Sequence, residues 1–221
     1  MNELRAAARV VLAVDETGIP AALLQLAVSI SRLQHLPLLA QLRLDPGLEH
    51  AAGLAFVSLV DRSGGAAQAW TPAQVLRTRR RIREQYEVRL REVAAGLDRV
   101  PELESLHCSR DAQLAGLVAS EDVVVMAGLR PVPGEASVAR RVIMLSAAPD
   151  IATPIHGLLR QAGSSFECWA VGSHQSVSAA IAAITGTGVT LVVSRHELGA
   201  GVGSMLRDFL ANRGRGLVVL P

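Results

Sequence analysis

Short apolar runs rich in Val, Ile and Leu alternate along this chain with longer segments of helical period, and that alternation limits the fold more than any other feature. Runs of this kind, separated by amphipathic stretches rather than tight hairpin turns, suit strands covered on both faces of a parallel sheet. Strands are expected at residues 10–14, 38–42, 104–108, 123–126, 142–145, 167–171, 190–193 and 217–220. Helices are expected at 20–33, 72–97, 111–119, 151–161, 175–184 and 203–212. The fold class is α/β.

Composition removes several functions. All 22 basic residues among the 221 are arginine, so a P-loop lysine, a Schiff base and a kinase-type lysine are excluded. A net charge of +2 and 3% aromatic residues argue against nucleic acid. No apolar run approaches the roughly 20 residues of a membrane span, and the first residues lack the pattern of a secretory signal. A soluble, cytoplasmic protein without membrane insertion is expected. Cys108 and Cys168 stand far apart and read as buried free thiols, and the six histidines are dispersed singly, so no metal site is expected.

The segment 72–97 is the longest helix, with Val75, Ile82, Tyr86, Leu90, Val93 and Leu97 on one face. Arg77, Arg79, Arg80, Arg81 and Arg83 read as a solvated face, Arg80 with Glu84 and Arg83 with Glu87 at the spacing that joins opposite charges. Arg9-Val-Val-Leu-Ala-Val-Asp15 is echoed by Arg141-Val-Ile-Met-Leu-Ser-Ala147. Cys108-Ser-Arg-Asp-Ala-Gln-Leu-Ala-Gly-Leu-Val118 is echoed by Val193-Ser-Arg-His-Glu-Leu-Gly-Ala-Gly-Val-Gly203. One unit written twice is the expectation: two doubly wound, Rossmann-like parallel-sheet units in tandem. The first spans 1–133 with a helical excursion at 45–98; the second, 138–221, is shorter and stops after its fourth strand. Two prolines and a glycine within 129–137 suit the linker between them.

Local motifs for catalysis are missing. There is no Gly-x-Ser-x-Gly elbow around Ser204, and the dinucleotide fingerprint Gly-x-Gly-x-x-Gly does not follow the first strand. Gly199, Gly201 and Gly203 offer only a weak anion site. No catalytic residue is assigned and no enzyme is expected. What remains is Asp15, at the carboxyl end of the first strand, where open parallel sheets bind ligands. From position alone it reads as a helix cap, with Thr17 competing for that role.

Arg9-Val-Val-Leu-Ala-Val-Asp-Glu-Thr, Ser109-Arg-Asp-Ala-Gln-Leu-Ala-Gly-Leu-Val-Ala119 and Glu121-Asp-Val-Val-Val-Met-Ala-Gly128, in that order, resemble the universal stress protein family. The resemblance covers most of the first half and, more thinly, the second, and it implies a stress-response or regulatory module. In that family the acid after the first strand holds adenosine and a glycine loop after the fourth holds phosphates. Carried onto this chain, Val14 and Asp15 would meet the base or sugar, and Gly128 and Arg130 would lie near phosphate. ATP or AMP is the ligand implied, although no cofactor is required. The loop departs from the family pattern, since Pro131 and Pro133 remove amides a phosphate cradle would use. The alternative expectation is a ligand-free structural or interaction module, a homodimer paired through an edge strand such as 217–220.

Overall fold

The computed structural model describes residues 7–18, 21–54, 58–59, 68–128, 141–147, 154–162, 165–172, 174–199, 202–212 and 215–221. The first half runs β1 (Val10–Asp15), α1 (Ala21–Gln34), β2 (Leu38–Leu44), α2 (Pro46–Ala52), β3 (Ser58–Leu59), β4 (Gln68–Ala69), α3 (Pro72–Val93), β5 (Glu102–His107), α4 (Arg110–Ala119) and β6 (Val123–Ala127). The second runs β7 (Arg141–Ser146), α5 (Pro154–Ala162), β8 (Ser165–Ala170), α6 (His174–Ala183), β9 (Val189–Ser194), a short 3-10 turn (Arg195–Glu197), α7 (Val202–Ala211) and β10 (Gly216–Leu220). The excursion expected as irregular contains α2 and a two-stranded ribbon of β3 and β4. The linker 129–137, with Arg130, lies outside the described residues.

One eight-stranded sheet holds both halves, in the order β5-β2-β1-β6-β10-β9-β7-β8. Within each half the pairs are parallel, and the halves meet through β6 and β10, which pair antiparallel. Side chains alternate between the faces of a strand, so Val10, Leu12 and Val14 pack with residues of α1, α3 and α5 while Val11 and Ala13 pack with α4, α6 and α7. Helices on both faces make this a doubly wound, Rossmann-like α/β fold with a mostly parallel sheet. Among the described residues no helix is long and apolar enough to cross a membrane.

Two expectations are corrected. The strand at 217–220 is not an edge: β10 is buried along its whole length between β6 and β9, so it has no free side for a partner. Nor are the halves one unit twice. From the order of their strands the first half is wired third-second-first-fourth, whereas the second is wired fourth-third-first-second. The echoed motifs share strand-to-helix chemistry, not topology. Among the described residues Cys108 and Cys168 form no disulfide, and both are only half-buried.

The long helix starts as its sequence dictates, with Pro72 in the first turn and a capping box between Thr71 and Gln74. Arg80–Glu84 and Arg83–Glu87 form on its exposed face, but Arg79 turns inward and is only 6% exposed. Its guanidinium donates to Glu16 Oε1 at 2.6 Å, Glu49 Oε2 at 2.8 Å and the Asp45 carbonyl at 2.6 Å, tying α3 to β1's turn and to α2. Arg79→Met removes the cation from a buried pair, and urea denaturation should show a loss of about 3 kcal/mol.

In the second half, His156 of α5 is buried against Phe166, ring centroids 5.8 Å apart, and its Nε2 has no hydrogen-bond partner among the described residues. Burial, aided by the nearby Arg160, lowers its proton affinity from the ordinary 6.5. The folded state therefore prefers neutral histidine. Stability from this source is complete above pH 6.5 and falls as the pH drops through that value, where the unfolded chain takes up the proton first. Unfolding free energies measured from pH 8 to pH 5 should show that acid loss in the native chain, with a flatter profile for His156→Phe.

Candidate functional site

Because the halves are antiparallel to each other, the carboxyl ends of β1, β2, β5 and β6 lie at one end of the sheet and those of β7–β10 at the other. Each half has one crevice where the strand order reverses, between β1 and β6 in the first and between β7 and β9 in the second. Open sheets of this class bind ligands there.

Asp15 ends β1 at the first crevice, its side chain 11% exposed. Its Oδ1 accepts from the Thr17 amide at 2.9 Å and from the Thr17 hydroxyl, which folds the β1–α1 turn; Gly18 completes that turn at a φ of 124°. Its Oδ2 lies 3.5 Å from Arg43 Nη2 and 3.7 Å from Arg110 Nη1. Its carbonyl accepts from the Tyr86 hydroxyl at 2.6 Å. Burial, with Asp15 adding to it, pushes the Tyr86 phenol well above its usual value, so it stays a donor. Asp15 thus closes a turn and neutralises two guanidiniums, rather than capping α1.

Arg110 follows the Ser109 cap of α4, whose hydroxyl accepts from the Ala112 amide at 3.2 Å. From there its guanidinium crosses the crevice, donating to the Ala127 carbonyl at 3.0 Å while facing Asp15. Burial lowers its proton affinity, and the Asp15 carboxylate opposes that shift. On the far side, the Gly128 amide donates to the Arg215 carbonyl at 2.7 Å. A Cβ on Gly128 would stand 2.6 Å from that oxygen and 2.9 Å from the Leu210 carbonyl. This glycine is required by the close approach of the backbone leading into β10, and its amide is not available to a phosphate.

The second crevice is bridged in the same way. The Ala147 amide, just past β7, donates to Glu197 Oε1 at 2.6 Å. Arg195 beside it reaches back to the first half, donating to the Val118 carbonyl at 3.0 Å and the Asp122 carbonyl at 2.8 Å.

Of the residues named from sequence, Val14 is a buried core side chain in the cluster with α1, Asp15 and Gly128 sit at one crevice in roles the fold itself requires, and Arg130 lies outside the described residues. Sequence reasoning missed Arg43, Arg79 and Arg110. A signal existed for the first: β1 and β2 pair in register from Val10 with Leu38, which sets Asp15 against Arg43. Beside the closed crevice is an open groove of about 610 Å³ between α3 and the β1–α1 turn, lined by Glu16, Gly18, Arg81, Ile82, Tyr86 and Arg89. A cavity of about 240 Å³ near His35 and Asp98 lies away from Asp15. Among the described residues no group of three or more His, Cys, Asp or Glu could hold a metal ion.

The fold and the paired crevices define a protein of the doubly wound α/β class. No family model matches the chain, and no curated protein does. A crystal structure of a functionally unknown protein from Pseudomonas aeruginosa PAO1 is similar over 100% of this chain and 94% of that one, with 9% identity and a TM-score of 0.38.

Two substitutions separate a structural Asp15 from a ligand-binding one. Asp15→Ala removes the ion-pair partner of the half-buried Arg110 and leaves Arg43 only Asp45, at 3.6 Å, and urea denaturation should show a loss of about 3 kcal/mol; an acid kept only for a ligand would be neutral to stability. Gly128→Ala should cost at least about 2 kcal/mol, because two backbone carbonyls stand where the methyl must go.

Proposed function

We propose that this protein is a non-enzymatic, cytoplasmic regulatory module of the universal stress protein-like, stress-response type, acting through protein contacts with its nucleotide crevice closed by its own side chains. The observation that carries the reading is Arg110, bonded to the Ala127 carbonyl and facing Asp15 across the place where such a sheet takes its ligand. The amide of Gly128, just past β6, is also consumed. For a nucleotide to use Asp15, two guanidiniums and a threonine would have to release it.

A second reading keeps an adenine nucleotide, ATP or AMP, in the first half. The open groove beside Glu16 and Gly18 favours it, since its volume falls in the range of small-molecule sites. Heat-shift measurements and equilibrium dialysis with ATP, ADP and AMP decide between the two. The expected outcome for the native chain is no shift in melting temperature and no retained nucleotide at millimolar concentration. Saturable binding well below that concentration would overturn the closed-crevice reading and restore the nucleotide.

A further inference from the structure

The cavity of about 240 Å³ near His35 and Asp98 lies where α1 and α3 both end. Pro37, in its wall, accepts from the amide of Val10, the first residue of β1, whereas Asp15 is the last. The guanidiniums of Arg32 and Arg99 line it, together with the Asp98 carboxylate and the apolar side chains of Leu36, Pro37 and Leu97. None of these residues takes part in the crevice at Asp15.

Helix ends carry partial negative charge on their last carbonyls, and an arginine beside them often does no more than cap them. Here the backbone fills most of that role. The Ser31 and Arg32 carbonyls of α1 accept from the Leu36 and His35 amides at 3.0 and 3.4 Å. At the end of α3, the Leu90 and Ala94 carbonyls accept from the Ala94 and Leu97 amides at 2.9 and 3.0 Å. Arg32 gives one bond, Nη2 to the Ala95 carbonyl at 3.3 Å. Arg99 is exposed and has no hydrogen-bond or ion-pair partner among the described residues. Asp98, the one carboxylate in the lining, is turned to His35 instead, its Oδ2 3.2 Å from the ring Nδ1. His35 presents that ring from a left-handed backbone, φ 53°, at the place after a helix where glycine is usual.

Charge and size together select a ligand. Two guanidiniums against one carboxylate leave the lining one positive charge in excess, which matches a monoanion. A phosphate monoester, at about −1.5 to −2 near neutral pH, would set a second negative charge close to Asp98. The volume lies below the roughly 300–1,000 Å³ of drug-sized pockets, and the apolar side chains offer a surface for a short carbon body. We propose that this cavity binds a small monocarboxylic acid, its carboxylate on Arg99 and Arg32 and its apolar end against Leu36, Pro37 and Leu97. A guanidinium meets a carboxylate with two parallel N–H···O bonds, so geometry as well as charge favours that head group.

Benzoate is the probe, titrated into the native chain by calorimetry and by amide chemical-shift mapping. The expected result is saturable binding with a dissociation constant below about 1 mM, with shifts centred on the amides of His35, Leu36 and residues 96–99. Benzyl alcohol, which lacks the charge, and inorganic phosphate, which lacks the carbon body, should each bind at least about tenfold more weakly. Arg99→Gln should weaken benzoate at least about tenfold and leave the urea midpoint in place, because that guanidinium has no partner to lose. Arg81→Gln, at an exposed arginine elsewhere on α3, should leave benzoate binding unchanged, and Asp98→Asn should narrow the preference for benzoate over phosphate. The inference is overturned by an absence of saturable binding, by shifts centred elsewhere, by an equal loss from Arg81→Gln, by phosphate bound more tightly than benzoate, or by a preference that Asp98→Asn leaves as it was. Because the cavity shares no residue with the crevice, neither outcome for benzoate changes what the nucleotide titrations decide.

Discussion

The antiparallel contact of β6 with β10 is the constraint on which the rest of the molecule depends. Val123–Ala127 and Gly216–Leu220 are each almost wholly buried, and their pairing turns two four-stranded halves into one sheet with a core on both faces. It also reverses the second half relative to the first. The carboxyl ends of the two sets of strands point to opposite ends of the sheet, so the two crevices cannot cooperate on one ligand. Contact at the seam is close enough that the residue after β6 must be glycine.

A chain without lysine holds such a structure together in a particular way. Arg79, Arg110, Arg195 and Arg215 each donate to main-chain carbonyls in other segments of the chain. Arg215 reaches the Ile184 and Gly186 carbonyls while its guanidinium lies 4.6 Å from the centroid of the Phe209 ring. A planar fork with five fixed donors can bond several acceptors and still lay its flat face on an aromatic ring, whereas an ammonium group offers three donors and no plane. The all-arginine composition is therefore consistent with the architecture, in which separate elements are joined by buried forks rather than by surface pairs. Surface pairs such as Arg80–Glu84 form too, but exposed pairs at this spacing contribute little.

Legibility in the sequence follows the range of the interaction. Strands buried on both faces announce themselves as apolar runs, and each of the eight was expected within a few residues of where it lies. The start of α3 was equally plain, since proline, threonine and glutamine act within one turn. Strand order was not legible. Both halves read strand, helix, strand, helix, yet nothing local says whether the third strand joins the second or returns past the first. For the same reason 217–220 read as an edge when it is the seam. At the site, Asp15 was visible because it ends an apolar run, whereas its partners were not, because Arg110 is 95 residues away in the chain.

The two faces of the question about Asp15 also meet in that geometry. The carboxyl end of the first strand is where open parallel sheets bind ligands, and the same place is where a parallel neighbour of equal register brings up the residue paired with Asp15. When that neighbour ends on alanine or valine, the carboxylate must find its donors in water or in a ligand. Here β2 sets Arg43 opposite Asp15, and α4 begins with Arg110, so the carboxylate is neutralised from within. The second half has no acid at the matching strand end, only Ser146, and its crevice is bridged by Glu197 instead. Both crevices are bridged from inside the chain, by residues of opposite charge. What the two ends of the sheet have in common is therefore a bridge built from the chain's own residues.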